Sequence, residues 1–276
     1  MKRMVLLMLI ISSLLSIKSV AQGNLLVTPM RLIFDGSKNN QELNLVNIGT
    51  DTAIFTISFI QYKMKEDGAF IKVDRPADVQ MAAQPLLRIY PQTVTLAPGE
   101  PQVIMLQFRH KSNLQPGEYL SHLYFRAEKN IIPPGSNQPE KDTTNLSIQL
   151  IPVYGLCIPI IIRTGEVKVS ITLSDLKMES AKEIPNFLKF TINRSGNISS
   201  YGDIIVDYLP EKGKATQIGV MRGIGVYTDI DKRIIAVKIN NINGSQFNKG
   251  KLKVRYINKE ETKNSSLLYA DGELDI

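Results

Sequence analysis

Few residues in this chain are placed for bond-making chemistry. It has two histidines, His110 and His122, and one cysteine, Cys157. Neither histidine falls in a metal-ligand spacing. Ser121 and His122 are adjacent in a segment that reads as a strand. Their side chains therefore leave opposite faces and cannot form a nucleophile–base pair directly. Gly223-Ile224-Gly225 lacks the third glycine and the following helix of a phosphate cradle. Cys157 has no basic neighbour in sequence to activate a thiolate, so it reads as a small buried hydrophobe. A single cysteine also excludes an intrachain disulfide. Asn-x-Ser triplets such as Asn145-Leu146-Ser147 matter only on a eukaryotic secretory route, and nothing in the sequence indicates one. The chain is read as a non-enzyme with no cofactor and no metal.

The feature that organises the chain is instead an apolar stretch, Leu146 to Arg163 (LSIQLIPVYGLCIPIIIR). Ile, Val and Tyr suit a pleated strand. Pro152, Gly155 and Pro159 make it too interrupted for a membrane span. It reads as a long strand bent near Gly155. Pro152 and Pro159 cannot donate to a ladder, which places those points at an edge or a bulge. A long apolar edge is an aggregation liability, so a protein that keeps one is expected to use it.

The N-terminus sets the compartment. Lys2 and Arg3, the apolar run Met4 to Leu15 and the small-x-small Ser19-Val20-Ala21 read as a secretory leader over residues 1–21, with Gln22 as the expected mature N-terminus. No other stretch is long enough to span a membrane, so stable membrane insertion is not expected. Without Lys2, Arg3 and Lys18, the 33 basic residues fall to 30 against 26 acidic ones. That mild balance, together with export, argues against nucleic acid as a partner.

The rest reads as all-β. Leu25 to Phe34, Gln41 to Asn47, Ala53 to Met64, Leu86 to Tyr90, Val94 to Leu96, Gln102 to Arg109 and Gly117 to Ala127 read as strands, several of them alternating polar and apolar. Turn residues separate them, and Ile131 to Asp142 reads as a loop. This spacing predicts a β-sandwich of about seven strands. The second half repeats the style from Val167 to Ile257, and Leu267 to Leu274 is one further candidate strand. The expected division is 22–165 and 166–276, with the boundary at Thr164-Gly165-Glu166.

In order and spacing, VTPMRLIFDG, PLLRIYPQTVTLAPGEPQVIML, GEYLSHLYFRA and the ending IPIIIR resemble a PapD-like periplasmic chaperone of the chaperone–usher pilus pathway. FTINRSGNISSYGDIIVDYLP resembles the opening of that family's second domain. The resemblance implies two immunoglobulin-like sandwiches in an L, a pilus or fimbrial subunit as client, and an outer-membrane usher as second partner. It also implies donor-strand complementation, in which the chaperone lends an edge strand to a subunit sandwich that lacks one. Ile148, Leu150 and Tyr154, with Pro152 between them, are the expected donor residues. Burying three such side chains would contribute roughly 5–9 kcal/mol before ordering costs. Ile151, Val153 and Cys157 are then expected to face the chaperone's own core.

Arg31 matches the family's arginine that grips the subunit's terminal carboxylate, a task suited to a guanidinium that stays charged and binds bidentately. The family's second cleft cation, a lysine, is replaced here by Pro159. Either another basic residue such as Arg88 or Arg109 takes its role, or the client is anchored differently. Arg163 matches an arginine at the domain junction, with Glu118 as a candidate acidic partner. The alternative to a chaperone is a secreted two-domain adhesin or surface module built from the same sandwiches with no client.

Overall fold

The computed structural model describes residues 25–74, 81–109, 113–128, 155–181, 184–240, 249–260 and 268–276. The leader, His110, the loop Ile131 to Asp142 and the segment Leu146 to Tyr154 lie outside them. The described residues are almost entirely strands, with a single turn of 3-10 helix at Gln84–Leu86. The fold is all-β and consists of two immunoglobulin-like sandwiches.

The first sandwich uses β1 (Leu25–Thr28), β2 (Leu32–Phe34), β3 (Asn40–Asn47), β4 (Ala53–Ile60), β5 (Tyr62–Met64), β6 (Phe70–Lys72), β7 (Leu87–Tyr90), β8 (Thr93–Leu96), β9 (Pro101–Phe108), β10 (Gly117–Ala127) and β11 (Gly155–Thr164). One sheet has the order β1-β3-β9-β7 and the facing sheet β2-β11-β10-β4-β8. Their inner faces meet in one apolar core that includes Phe34, Leu43, Leu45, Phe55, Ile104, Leu106, Leu123, Phe125, Ile158 and Ile160. Alternation produces this face, since Leu43 and Leu45 on β3 are buried while Glu42 and Asn44 point to solvent.

Two segments that read as single strands are divided. Leu25 to Phe34 breaks at the cis Thr28–Pro29 bond, so that β1 pairs with β3 in one sheet and β2 pairs with β11 in the other. Proline cannot donate to a ladder, which makes it a natural place for the chain to change sheets. Ala53 to Met64 breaks at the buried Gln61. Its amide donates to the Ser121 hydroxyl, and the residues beyond it leave the sheet as the hairpin β5–β6.

The second sandwich uses β12 (Val169–Ala181), β13 (Ile184–Gly196), β14 (Ser200–Pro210), β15 (Thr216–Val226), β16 (Lys232–Lys238), β17 (Gly250–Asn258) and β18 (Leu268–Asp275). Its sheets run β12-β13-β16 and β15-β14-β17-β18. They enclose a core around Leu188, Phe190, Ile192, Ile204, Val206, Val237, Val254 and Tyr256. Gly202 on β14 allows close approach of β17, because a Cβ there would strike the backbone carbonyl of Ile257.

Candidate functional site

β11 has an uneven pair of edges. On one side it is paired with β10 along its whole length, from Gly155↔Arg126 to Thr164↔Gly117. On the other side it meets β2 in parallel, but only at Ile160, Ile161 and Ile162. Among the described residues, Gly155 to Pro159 therefore have a strand partner on one side only. Pro159, directly before the paired stretch, has no N–H to offer.

The faces of β11 are well defined. Ile158, Ile160 and Ile162 are fully buried in the first core, with Leu156 packed against it. Cys157 is half-buried and belongs to the opposite face, which corrects its expected place in the core. The strand enters the core with even-numbered residues, so odd ones face away. The Cys157 thiol is pushed up to about 11 by burial, which leaves it protonated and unreactive at neutral pH. Gly155 shares the odd face, where the Tyr124 ring fills the place a Cβ would take.

That odd face of β11, and the even face of β10 beside it, turn toward the second sandwich. Ile161, Leu120 and Met64 form a small apolar cluster with Tyr227 of the second sandwich. Beside it lies a buried ionic cluster. Arg163 donates from Nε to Glu118 Oε2 at 3.0 Å, and from Nη1 and Nη2 to Glu260 at 2.7 and 3.1 Å. Glu118, with a fully buried side chain, also accepts from the Ser199 backbone N–H at 3.1 Å and the Ser199 hydroxyl at 2.9 Å. Arg163 and Glu118 are direct cross-strand partners, a pairing that antiparallel register gives at once. Burial opposes the charge on Arg163, but the hydrogen bond to Glu260 and the charges of Glu118 and Glu260 hold its pKa above the ordinary arginine value.

Arg31 joins this cluster. Its Nη2 donates to Glu260 Oε1 at 2.9 Å and to the Ser199 hydroxyl at 3.1 Å. Its guanidinium carbon lies 4.8 Å from the Tyr201 ring centre and 5.8 Å from that of Tyr227. Its side chain is only 10% exposed, and Nε and Nη1 are buried with no hydrogen-bond partner among the described residues. Two positive and two negative groups thus form a nearly closed set. Glu260 is the member that sequence reading missed, since it sits in a polar stretch after β17 with no local signal.

The two alternative cations stand elsewhere. Arg88 is exposed on β7 and lines a surface cavity of about 570 Å³ with Tyr90, Met105 and Gln107. Arg109 is exposed just past β9, where its N–H donates to the Leu86 carbonyl. The expected donor residues Ile148, Leu150, Pro152 and Tyr154 lie outside the described residues, as do Ile151 and Val153.

The hairpin β5–β6 crosses from the first sandwich to the second. Met64 N–H donates to Asp229 at 3.2 Å, and Ile234 N–H donates to the Glu66 carbonyl at 2.7 Å. At its tip Gly68 has φ +83°, and the Arg233 guanidinium occupies the space a Cβ would need. Only glycine meets both conditions. Ser121 and His122 do leave opposite faces of β10. The Ser121 hydroxyl accepts from the Gln84 N–H at 2.9 Å, while His122 meets Tyr62 and Phe70 of the hairpin edge-on.

Solved structures similar in fold include the YadV chaperone, at 12% identity over 92% of this chain and 100% of that one, with a TM-score of 0.44. The CupB2 chaperone of Pseudomonas aeruginosa is 12% identical over 91% and 98%, with a TM-score of 0.42. The chaperone–tip subunit pre-assembly complex of the archaic chaperone-usher Csu pili of Acinetobacter baumannii is 12% identical over 86% and 94%, with a TM-score of 0.42. Values this low give no residue-by-residue correspondence. No family model matches the chain, and no curated protein matches it in sequence. Among the described residues, no helix is long and apolar enough to cross a membrane, and no group of three or more His, Cys, Asp or Glu is placed to hold a metal ion.

Proposed function

We propose that this chain is a periplasmic chaperone that caps pilus or fimbrial subunits by lending them a strand, and hands them to an outer-membrane usher. One observation carries the reading. Among the described residues, β11 is bonded along one side throughout and along the other only at Ile160 to Ile162, and in sequence it follows directly on the apolar run Leu146 to Tyr154. A free apolar edge is costly in an exported protein unless a partner covers it. Pairing with a subunit that lacks a strand satisfies the backbone groups of both chains, and alternate side chains fill the subunit's groove.

Ile148, Leu150 and Tyr154 are the assigned donors. Arg31 is assigned to the client's terminal carboxylate. Two of its nitrogens have no acceptor among the described residues, and guanidinium binds carboxylate in a fixed fork. Arg163, Glu118 and Glu260 set how the sandwiches meet and hold Arg31 in place.

Tagged protein recovered from its native periplasm tests this. A small β-rich protein in equal amount, identified by mass spectrometry, is the expected result. Recovery of this chain alone, exposed on the cell exterior, would make it a surface module instead.

A further inference from the structure

His122 sits on the β10 face turned to the second sandwich and is 5% exposed. Neither Nδ1 nor Nε2 has a hydrogen-bond partner among the described residues. Buried polar groups are nearly always bonded, so an imidazole with both nitrogens idle calls for a reason. The ring is caged edge-on by Tyr62 and Phe70, with centroids 5.4 and 5.8 Å away, and tilted against Tyr227 at 6.2 Å. Arg31 lies against the same Tyr227 ring, with Nε and Nη1 equally buried and idle. Four buried nitrogens of Arg31 and His122 therefore flank one tyrosine with no hydrogen-bond partner among the described residues. His122 is also the cross-strand neighbour of Pro159, which itself offers no charge.

We infer that His122, as the imidazolium, is the second donor to a client carboxylate, forming with Arg31 a two-cation site that the β5–β6 hairpin covers when no client is bound. The inference rests on the assignment of Arg31 above. In the closed state burial, with a smaller push from the Arg31 charge, takes His122 down to about 4, so it is neutral at pH 7. The other titratable groups packed on it are Tyr62 and Tyr227, and Glu118 on the same strand face bonds Arg163 and Ser199 through Oε2 while its Oε1 is buried with no partner among the described residues. A carboxylate entering between His122 and Arg31 supplies the missing acceptor and reverses the local charge. The imidazole then takes one proton from water and donates it in a charge-assisted hydrogen bond. Entry requires Tyr62 and Phe70 to lift, and the hairpin that carries them is tied to the second sandwich through Met64–Asp229 and Glu66–Ile234.

The test uses the full mature chain and a synthetic peptide of alternating apolar residues, made once with a free C-terminal carboxylate and once amidated. Calorimetry at pH 7 in buffers of different ionisation enthalpy reads proton uptake, and NMR follows the His122 Cε1 proton. The free-acid peptide is expected to bind about tenfold or more tighter than the amide, with uptake of a proton and a move of His122 to the imidazolium shift. His122→Phe, which keeps the aromatic cage filled, should abolish the uptake and lose most of that preference. No uptake by the wild-type protein overturns the role of His122, and so does an undiminished preference in His122→Phe. If Arg31→Ala nevertheless erases the preference, the carboxylate anchor survives and only the second donor is lost. If Arg31→Ala keeps it as well, the anchor assignment itself falls.

Discussion

Arg163, on the last strand of the first sandwich, and Glu260, just past β17 of the second, are joined by a two-point ion pair of 2.7 and 3.1 Å, with side chains 6% and 4% exposed. Such a pair contributes little net stability over an apolar contact, because both charges lose their water. Its geometry is directional, however, and it fixes one way for the two sandwiches to meet.

Removing one partner leaves the other charged and buried. Glu260→Ala is therefore expected to cost about 3–5 kcal/mol, since Arg163 and Arg31 each lose their bond to this carboxylate, leaving Arg163 with Glu118 and Arg31 with only the Ser199 hydroxyl. Arg163→Met should cost less than Arg163→Ala if the methionine fills the volume. Urea unfolding curves of the three variants check this order.

His122 gives the protein an acid limit. Its folded value, about 4, lies below the unfolded value of 6.5, so the unfolded chain binds the extra proton between those values. Stability is complete above the unfolded value and falls as pH drops toward 4, by about 3 kcal/mol at most. The difference in melting temperature between wild type and His122→Phe, followed from pH 7.5 to 4, isolates this contribution. It should shift steadily in favour of the variant as pH falls. A constant difference would remove His122 as the source.

Gly68 tests the hairpin. Gly68→Ala forces a side chain into a left-handed backbone and against Arg233. A loss of about 1–2 kcal/mol is expected, with faster amide exchange at Met64 and Ile234, whose N–H groups bridge the sandwiches. Slow exchange at both sites in the variant would show that the hairpin is held by something else.

Much of this was legible in the sequence. Leu43, Leu45, Ile104 and Leu106 lie on period-two stripes, and alternation of that kind belongs only to a half-buried strand. Gly117 to Ala127 reads as one strand and is one. Arg163 and Glu118 follow from pairing that strand with the next. The missed features depend on distance in the chain. No local pattern tells Gln61 to leave the sheet, because its partner is Ser121, sixty residues on. Glu260 looks like any solvated acid until two arginines from the other sandwich surround it. His122 looks like half of a failed nucleophile–base pair until Tyr62 and Phe70 fold over it. The face of Cys157 was misassigned because Ile, Pro and Cys in the run carry no polar alternation to set the phase.

The lent strand itself is tested by client recovery with Leu150→Asn, read beside Ile158→Asn. Ile158 is fully buried in the first core, so its asparagine variant should lose several kcal/mol and fold poorly. Leu150→Asn should melt within about 0.5 kcal/mol of the wild type and yet bring down no client, because an unpaired amide would be buried in the client's groove. Full client recovery by a folded Leu150→Asn protein would contradict strand donation by this chain.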